Sequence, residues 1–151
     1  MQIAINYDLL SRQMSALTED VPYPIANLSN AAALLWESLP DINWAGFYIL
    51  EDGALILGPF QGKPACVRIP MGKGVCGTAA ATGTPQLVPD VHCFPGHIAC
   101  DSASRSEIVL PIYKNSRLYG VLDIDSPSLD RFSDCDLRGL SKVVKVLENS
   151  I

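Results

Sequence analysis

The chain has 151 residues, of which 48% are hydrophobic and 18% are charged. This length suits a single domain, and the apolar fraction is large enough to form a buried core, which excludes intrinsic disorder as the main state. The formal net charge is -5, and the lysines and arginines are scattered rather than clustered. Because no basic stripe is available to neutralise a phosphate backbone, nucleic acid is not expected as a partner.

The longest segments without charged side chains are residues 21–36 and 74–89. Both contain Pro, Asn, Gly or Thr and are shorter than the ~18 apolar residues of a membrane helix, so no membrane span is expected. The first eight residues do not have the basic segment, apolar stretch and cleavage site of a secretory signal. We therefore expect a cytoplasmic protein.

Two helices are predicted at the start of the chain, over residues 7–18 and 25–39, and Pro40 ends the second. Both segments carry apolar side chains at helical spacing. In the second segment these are Ile25, Leu28, Ala32, Leu35, Trp36 and Leu39.

A β-hairpin is predicted next, from apolar runs at 44–50 and 54–60 that flank an Asp-Gly turn signal at 52–53. A second hairpin is predicted from residues 106–113 and 118–124.

The middle of the chain, residues 62–105, is dense in Gly, Pro, Thr and Asp. We predict a brief strand at 67–69, a short helix at 75–81 and an irregular segment over 89–104. Irregular segments of this length usually serve a site.

A last helix is predicted to begin at Ser133, with Asp136 three residues later in a weaker form of the capping box. Its apolar stripe comprises Cys135, Leu137, Leu140, Val144 and Leu147. Cys135 is therefore predicted to be an inert core residue. Strands that mostly connect to neighbouring strands predict an α+β fold with a largely antiparallel sheet between N- and C-terminal helices, in one domain over residues 1–151.

A G-x-G-x-x-G pattern lies at residues 72–77, and Asp90 follows at about the distance of a ribose-binding acid. The pattern indicates a dinucleotide site only between a buried strand and a helix. Here Arg68 and Pro70 precede it, and the helix that follows is short. No organic cofactor is expected.

The residue types of a zinc site occur at His92, Cys93, His97 and Cys100. These residues have neither a C-x-x-C pair nor the usual ligand spacings, so no metal is expected there.

The other cysteines fall into two groups. Cys76 begins the short helix beside Lys73, where the helix dipole and the lysine favour a thiolate, although packing beneath the glycine turn is an equal alternative. Cys66 and Cys100 lie on predicted loops, and thiols on loops can reach disulfide distance without distorting a helix or strand. These loop positions therefore permit a redox pair of Cys66 and Cys100.

Acidic residues stand on the predicted strands of the second hairpin. Asp123 and Asp125 are two residues apart, so both point to one face of the sheet. If they share a concave site with Glu107, burial and like charge would raise a pKa and leave one carboxyl able to donate a proton. The alternative is that all three are solvated strand ends.

Nearly the whole chain resembles the free methionine-(R)-sulfoxide reductases, single-domain enzymes of the GAF fold. The resemblance is most specific between residues 44 and 127, and the three cysteines Cys66, Cys76 and Cys100 have the spacing of that family. The matching segments are NWAGFY (43–48), GPFQGKPAC (58–66), GKGVCGTAA (72–80), FPGHIACD (94–101), SEIVLP (106–111) and GVLDIDSP (120–127).

The resemblance implies that Cys100 attacks the sulfur of free methionine sulfoxide and becomes a sulfenic acid. It implies Cys66 as the main disulfide partner, with Cys76 as an alternative or relay thiol, and a thioredoxin-like dithiol as the reductant. Cys93 lies seven residues before Cys100 and is a further thiol that can intercept the sulfenic acid. The family also implies a homodimer without metal or organic cofactor.

Substrate contacts follow from the same resemblance. Glu107 is expected to protonate the sulfoxide oxygen, and Asp123 and Asp125 to hold the substrate ammonium. Trp44 and Tyr48 are expected to form an apolar wall for the S-methyl group. The alternatives are a GAF-type sensor that binds a small molecule without reacting with it, and a metal-binding regulatory protein.

Overall fold

The computed structural model describes residues 4–97 and 102–151. In chain order the elements are α1 (Tyr7–Thr18), α2 (Pro24–Ser38), β1 (Trp44–Glu51), β2 (Ala54–Gly62), β3 (Arg68–Pro70), α3 (Gly74–Thr82), β4 (Gln86–Val88), a 3-10 turn (Val91–Cys93), β5 (Ser106–Lys114), β6 (Arg117–Ser126) and α4 (Asp134–Glu148). None of the helices in these two ranges has the length and apolar character that a bilayer crossing requires.

Local signals set the helix boundaries. The side chain of Asn6 accepts a hydrogen bond from the Leu9 amide at 3.0 Å and caps α1, and Pro24 occupies the first turn of α2. Helix α4 has a complete capping box between Ser133 and Asp136, stronger than the weak form predicted.

The six strands form one sheet in the order β3-β2-β1-β6-β5-β4, and every neighbouring pair is antiparallel. Both predicted hairpins and the α+β class are confirmed. Strand β4 was not predicted, because three residues beside a proline carry too little periodicity to identify a strand.

The two faces of the sheet are covered differently. Helices α1, α2 and α4 pack on one face, against alternating residues such as Phe47, Ile108 and Leu122. On the other face, Tyr48, Val109 and Val121 contact α3 and the segments around it. The two-residue period of the strands thus separates a helix-covered core from a second, smaller cluster.

Three apolar side chains assigned to helix stripes prove to be exposed. Cys135 was predicted to be core, but it is exposed, since α4 buries the face that carries Asp136, Leu140 and Leu147. Cys135 precedes Asp136 by one residue, a rotation of about 100° around the helix. Ile25 and Trp36 of α2 are likewise 75% and 39% exposed.

Candidate functional site

The acidic residues and an aromatic residue meet in one row across three neighbouring strands. Asp125 of β6 lies opposite Trp44 of β1 on one side and opposite Glu107 of β5 on the other. Asp123 lies two residues along β6, opposite Val109. The prediction that Asp123 and Asp125 share a face is confirmed by this register, and Glu107 joins them there.

A cavity of about 50 Å³ lies between this face and α3. That space is large enough for several water molecules, since one water needs about 10–15 Å³. Its lining includes all the predicted site residues that the structure describes except Cys66: Trp44, Tyr48, Cys76, Glu107, Asp123 and Asp125. Cys100 lies outside the described residues.

The aromatic wall is formed by stacked rings on β1 and β2. The Trp44 ring centroid lies 5.8 Å from that of Tyr48 and 5.2 Å from that of Phe60. Gly62 lies opposite Trp44 and leaves room for the indole, because a Cβ at position 62 would approach the ring to 2.8 Å. Trp44 and Tyr48 are buried, so together they offer the cavity a rigid apolar surface.

The same two wall residues hold the segment that carries Cys66. The Trp44 indole Nε1 donates a hydrogen bond to the Lys63 carbonyl at 3.1 Å. The Tyr48 hydroxyl donates a hydrogen bond to the Cys66 carbonyl at 2.8 Å. Cys66 is half-buried and disulfide-bonded. Residues 63–66 are therefore fixed against the cavity wall.

Cys76 lies in the first turn of α3, fully covered, with its Sγ 3.9 Å from Glu107 Oε2. Of the two alternatives for Cys76, packing beneath the glycine turn agrees with this position better than a thiolate does. Burial raises the pKa of the Cys76 thiol well above its usual value, and the carboxylates of Asp123 and Glu107 raise it further. The helix dipole is too weak to offset these effects, and Lys73 is exposed to solvent.

The glycine pattern is explained by packing of the turn against α3. The Gly72 amide donates to the Gly77 carbonyl at 2.8 Å. A Cβ on Gly77 would approach the Pro70 carbonyl oxygen to 2.6 Å. The strand before this turn, β3, pairs antiparallel with β2 at the sheet edge, which is not the βαβ context of a dinucleotide site.

Two carboxyl groups that line the cavity, those of Glu107 and Asp123, have raised pKa values. Burial raises the pKa of Glu107 well above its usual range, and the carboxylates of Asp123 and Asp125 raise it further. Burial also raises the pKa of Asp123. Within the described ranges, neither Glu107 nor Asp123 forms an ion pair with a basic side chain. Glu107 is therefore suited to hold a proton that it can donate.

Three further polar side chains line the cavity, and sequence patterns did not place them there. These are Lys73, His97 and Ser104. Burial lowers the pKa of His97, and neighbouring His92 lowers it further, which favours the neutral imidazole. No local pattern identifies these residues, because they reach the cavity from turns and loops.

Cys93 does not line the cavity. Its exposed thiol lies 3.5 Å from Asp90 Oδ2. Of the four candidate zinc ligands, His92 and His97 have ring centroids 6.4 Å apart. Cys93 instead pairs with Asp90, and the carboxylate raises the pKa of its thiol.

Comparisons with known proteins agree with this architecture. The GAF domain family matches residues 23–151. The free methionine-R-sulfoxide reductase of Escherichia coli (strain K12) is 57% identical over 142 residues, which covers 94% of this chain and 86% of that protein. The free methionine-R-sulfoxide reductase of Saccharomyces cerevisiae is 51% identical and covers 83% of this chain and 74% of that protein.

A solved structure of fRMsr of Staphylococcus aureus in complex with substrate superimposes with a TM-score of 0.95. It is 55% identical and covers 99% of this chain and 98% of that one. Identities of this size over nearly the full length exceed what a shared fold alone requires. The chain therefore belongs to the free methionine-R-sulfoxide reductase family of GAF-domain proteins.

Proposed function

We propose that this protein reduces free methionine (R)-sulfoxide to methionine by cysteine chemistry, without a metal or organic cofactor. The observation that carries the proposal is the buried row of Glu107, Asp125 and Trp44, with Asp123 beside it, at one small cavity. The relatives named as reductases of this substrate support it.

The cavity has complementary sides for a free amino acid. Asp123 and Asp125 offer carboxylates to the substrate ammonium. Lys73 and the N-terminus of α3 lie on the opposite lining and favour the substrate carboxylate, because both carry positive potential. A methionine sulfoxide residue inside a protein chain has neither charge, so we expect strong preference for the free amino acid.

The oxygen is transferred to Cys100 in the first step. The Cys100 thiolate attacks the sulfoxide sulfur while Glu107 donates its proton to the sulfoxide oxygen, which a neutral carboxyl can do. The hydroxyl group then moves from the substrate sulfur to Cys100 Sγ as the transient bond between the two sulfurs breaks, methionine leaves with the electron pair of that S–S bond, and a sulfenic acid remains. Trp44 and Tyr48 hold the S-methyl group against the aromatic wall.

Cys66 resolves the sulfenic acid. Its thiolate attacks the Cys100 sulfur, a disulfide forms, and the oxygen leaves as water. The disulfide at Cys66 supports this pairing, together with the free state of Cys76, Cys93 and Cys135. The raised pKa of the Cys76 thiol makes it the weaker competitor, since thiolate is the attacking species. A thioredoxin-like dithiol then reduces the disulfide by exchange.

The test supplies the purified protein with each sulfoxide epimer of free methionine and a dithiol. We expect methionine from the R epimer alone, and its absence would reject the proposal. Cys100→Ser should abolish methionine formation even in a single turnover. Cys66→Ser should release one methionine per chain and then slow down, whereas Cys135→Ser, which changes an exposed thiol on α4, should behave as the parent protein.

We further infer that residues 1–151 act as one domain and that two copies associate. The single six-stranded sheet supports the first statement. Large apolar side chains exposed on and between α1 and α2 support the second: Leu9, Leu17, Tyr23, Ile25 and Trp36. Sedimentation equilibrium should give twice the mass of one chain, and Ile25→Glu should shift the equilibrium toward the monomer.

Because recycling requires a reduced dithiol partner, we place the protein in the cytoplasm.

A further inference from the structure

We propose that Cys76, Glu107 and Asp123 form a binding site for a thiophilic divalent cation of the zinc class, within the same cavity. The sequence shows no zinc-ligand spacing among these residues, which come from α3, β5 and β6. The tertiary structure alone brings the three side chains together.

The distances between the three candidate ligand atoms are close to those between the ligands of a bound metal ion. One ligand atom from each of the three residues lies within 4.8 Å of the other two. Cys76 Sγ and Glu107 Oε2 are 3.9 Å apart. In a tetrahedral zinc site, a sulfur at ~2.3 Å and an oxygen at ~2.1 Å from the ion are about 3.6 Å apart. The sulfur and oxygen therefore need to approach by only a few tenths of an ångström.

A second observation points to a ligand at this place. Asp123 is only 5% exposed and lines the cavity, yet its Oδ1 has no hydrogen-bond partner in the described part of the chain. A buried polar atom left without a partner costs roughly 1–3 kcal/mol, and a bound ion facing the cavity removes this cost. The cavity of about 50 Å³ also has room for an ion and a completing water molecule.

The donor set decides which cation fits. One sulfur and two carboxylate oxygens suit zinc or cadmium, whereas magnesium prefers oxygen ligands alone and keeps its octahedral water shell. As the metal–sulfur bond forms, the Cys76 thiol releases its proton to the solvent. The ion balances the carboxylates, and no oxidant or reductant is needed. Lys73 and His97 face the same cavity, and the lysine charge opposes cation entry.

Occupation by zinc has a consequence that rests on the proposed function. The ion would engage Asp123, which is to hold the substrate ammonium, and Glu107, which is to donate the proton. Zinc and methionine sulfoxide would then exclude one another, and zinc would act as a competitive inhibitor. Binding itself does not depend on the reductase activity.

The experiment measures zinc binding directly, by competition with a chromophoric zinc chelator. The protein is used with Cys66 in its disulfide, so that this thiol cannot contribute. We expect one zinc per chain, at least a tenfold weaker affinity in Cys76→Ser and in Asp123→Asn, and no competition from excess magnesium. Cobalt(II) should give the charge-transfer absorption of a cobalt–thiolate bond, and Cys76→Ser should abolish that band.

The control variants are Cys93→Ser and Cys135→Ser, which remove the exposed thiols and should leave zinc affinity unchanged. Equal zinc affinity in Cys76→Ser and the parent protein would overturn the proposal, as would the absence of stoichiometric zinc. If Cys76→Ser fails to fold, Asp123→Asn and the cobalt spectrum of the parent protein decide it. Zinc binding without reductase activity would reject the proposed function but leave the metal site intact.

Discussion

The protonation state of one carboxyl, that of Glu107, links the fold to the proposed chemistry. Glu107 is only 7% exposed and lies opposite Asp125 on the neighbouring strand. Burial and the nearby carboxylates all disfavour its charged form. A carboxyl in this position retains its proton at a pH where an exposed glutamate has lost it.

Glu107→Gln should slow methionine formation in the first turnover by about 10²–10⁴-fold, the usual contribution of a positioned general acid. The amide keeps the shape of the side chain but carries no acidic proton to transfer. The measurement is rapid quenching with enzyme in excess over sulfoxide. Glu51→Gln is the control, since Glu51 is exposed at the end of β1. A Glu107→Gln rate within threefold of the parent rate would contradict the assigned role.

Between elements, close contacts decide where each segment lies. Helix α4 packs on α1 at Gly139, where a Cβ would meet the Tyr7 ring at 2.1 Å. The Tyr7 hydroxyl also donates to Asp136 Oδ1, so the ring cannot move aside freely. Asp136 in turn pairs with Arg131 in the segment before α4. This arrangement ties both ends of the chain to the same side of the sheet.

Gly139→Ala should therefore lower the free energy of unfolding by about 1–3 kcal/mol, as overpacking does. Helix propensity alone predicts the opposite sign, a gain of roughly 1 kcal/mol. Urea denaturation measures the free energy of unfolding and so distinguishes the expected loss of stability from a gain. Ser141→Ala on the same helix is the control and should not destabilise the protein, because among the described residues its hydroxyl bonds only to the Leu137 carbonyl within α4. A stabilised Gly139→Ala variant would disprove the close packing.

The contact between β1 and residues 63–66 is tested by Tyr48→Phe. This change retains the stacked ring and removes the hydrogen bond to the Cys66 carbonyl. We expect the free energy of unfolding to fall by about 0.5–1.5 kcal/mol, measured in urea. Tyr119→Phe, at a partly buried residue of β6, should leave it unchanged. Equal stability of the two variants would show that the Tyr48 hydroxyl does not hold this segment.

For the molecule as a whole, the buried acids link stability to pH. Glu107 and Asp123 both have pKa values raised by burial in the folded state. The folded protein then binds more protons than the unfolded chain above the ordinary carboxyl pKa of about 4. Their contribution to stability is complete below that pH and is lost as pH rises through the raised values.

We expect the free energy of unfolding to decrease from about pH 4 upward, by at most ~1.4 kcal/mol per pH unit for each such carboxyl. Glu107→Gln should flatten this decrease, because the amide does not titrate. Urea titrations at a series of pH values measure the slope, with Glu51→Gln as the control. Parallel slopes in Glu107→Gln and the parent protein would show that Glu107 titrates normally.

The local sequence determined the elements and the direction of strand side chains. Alternation along the strands placed Asp123 and Asp125 on one face, and the caps at Asn6 and Ser133 marked helix starts. These features depend on neighbours within a few residues, which a linear pattern records. The family motifs added the roles expected of the cysteines, which remain proposals.

Only the tertiary structure decided which strands are neighbours and what surrounds each side chain. The order β1-β6-β5 aligned Trp44, Asp125 and Glu107. It also placed acids beside Cys76, which decides between its two alternatives in favour of the buried thiol. Cys135, predicted to be core, faces solvent. The physical reason is that burial and electrostatic interactions depend on distance in space, and residues far apart in the chain set both.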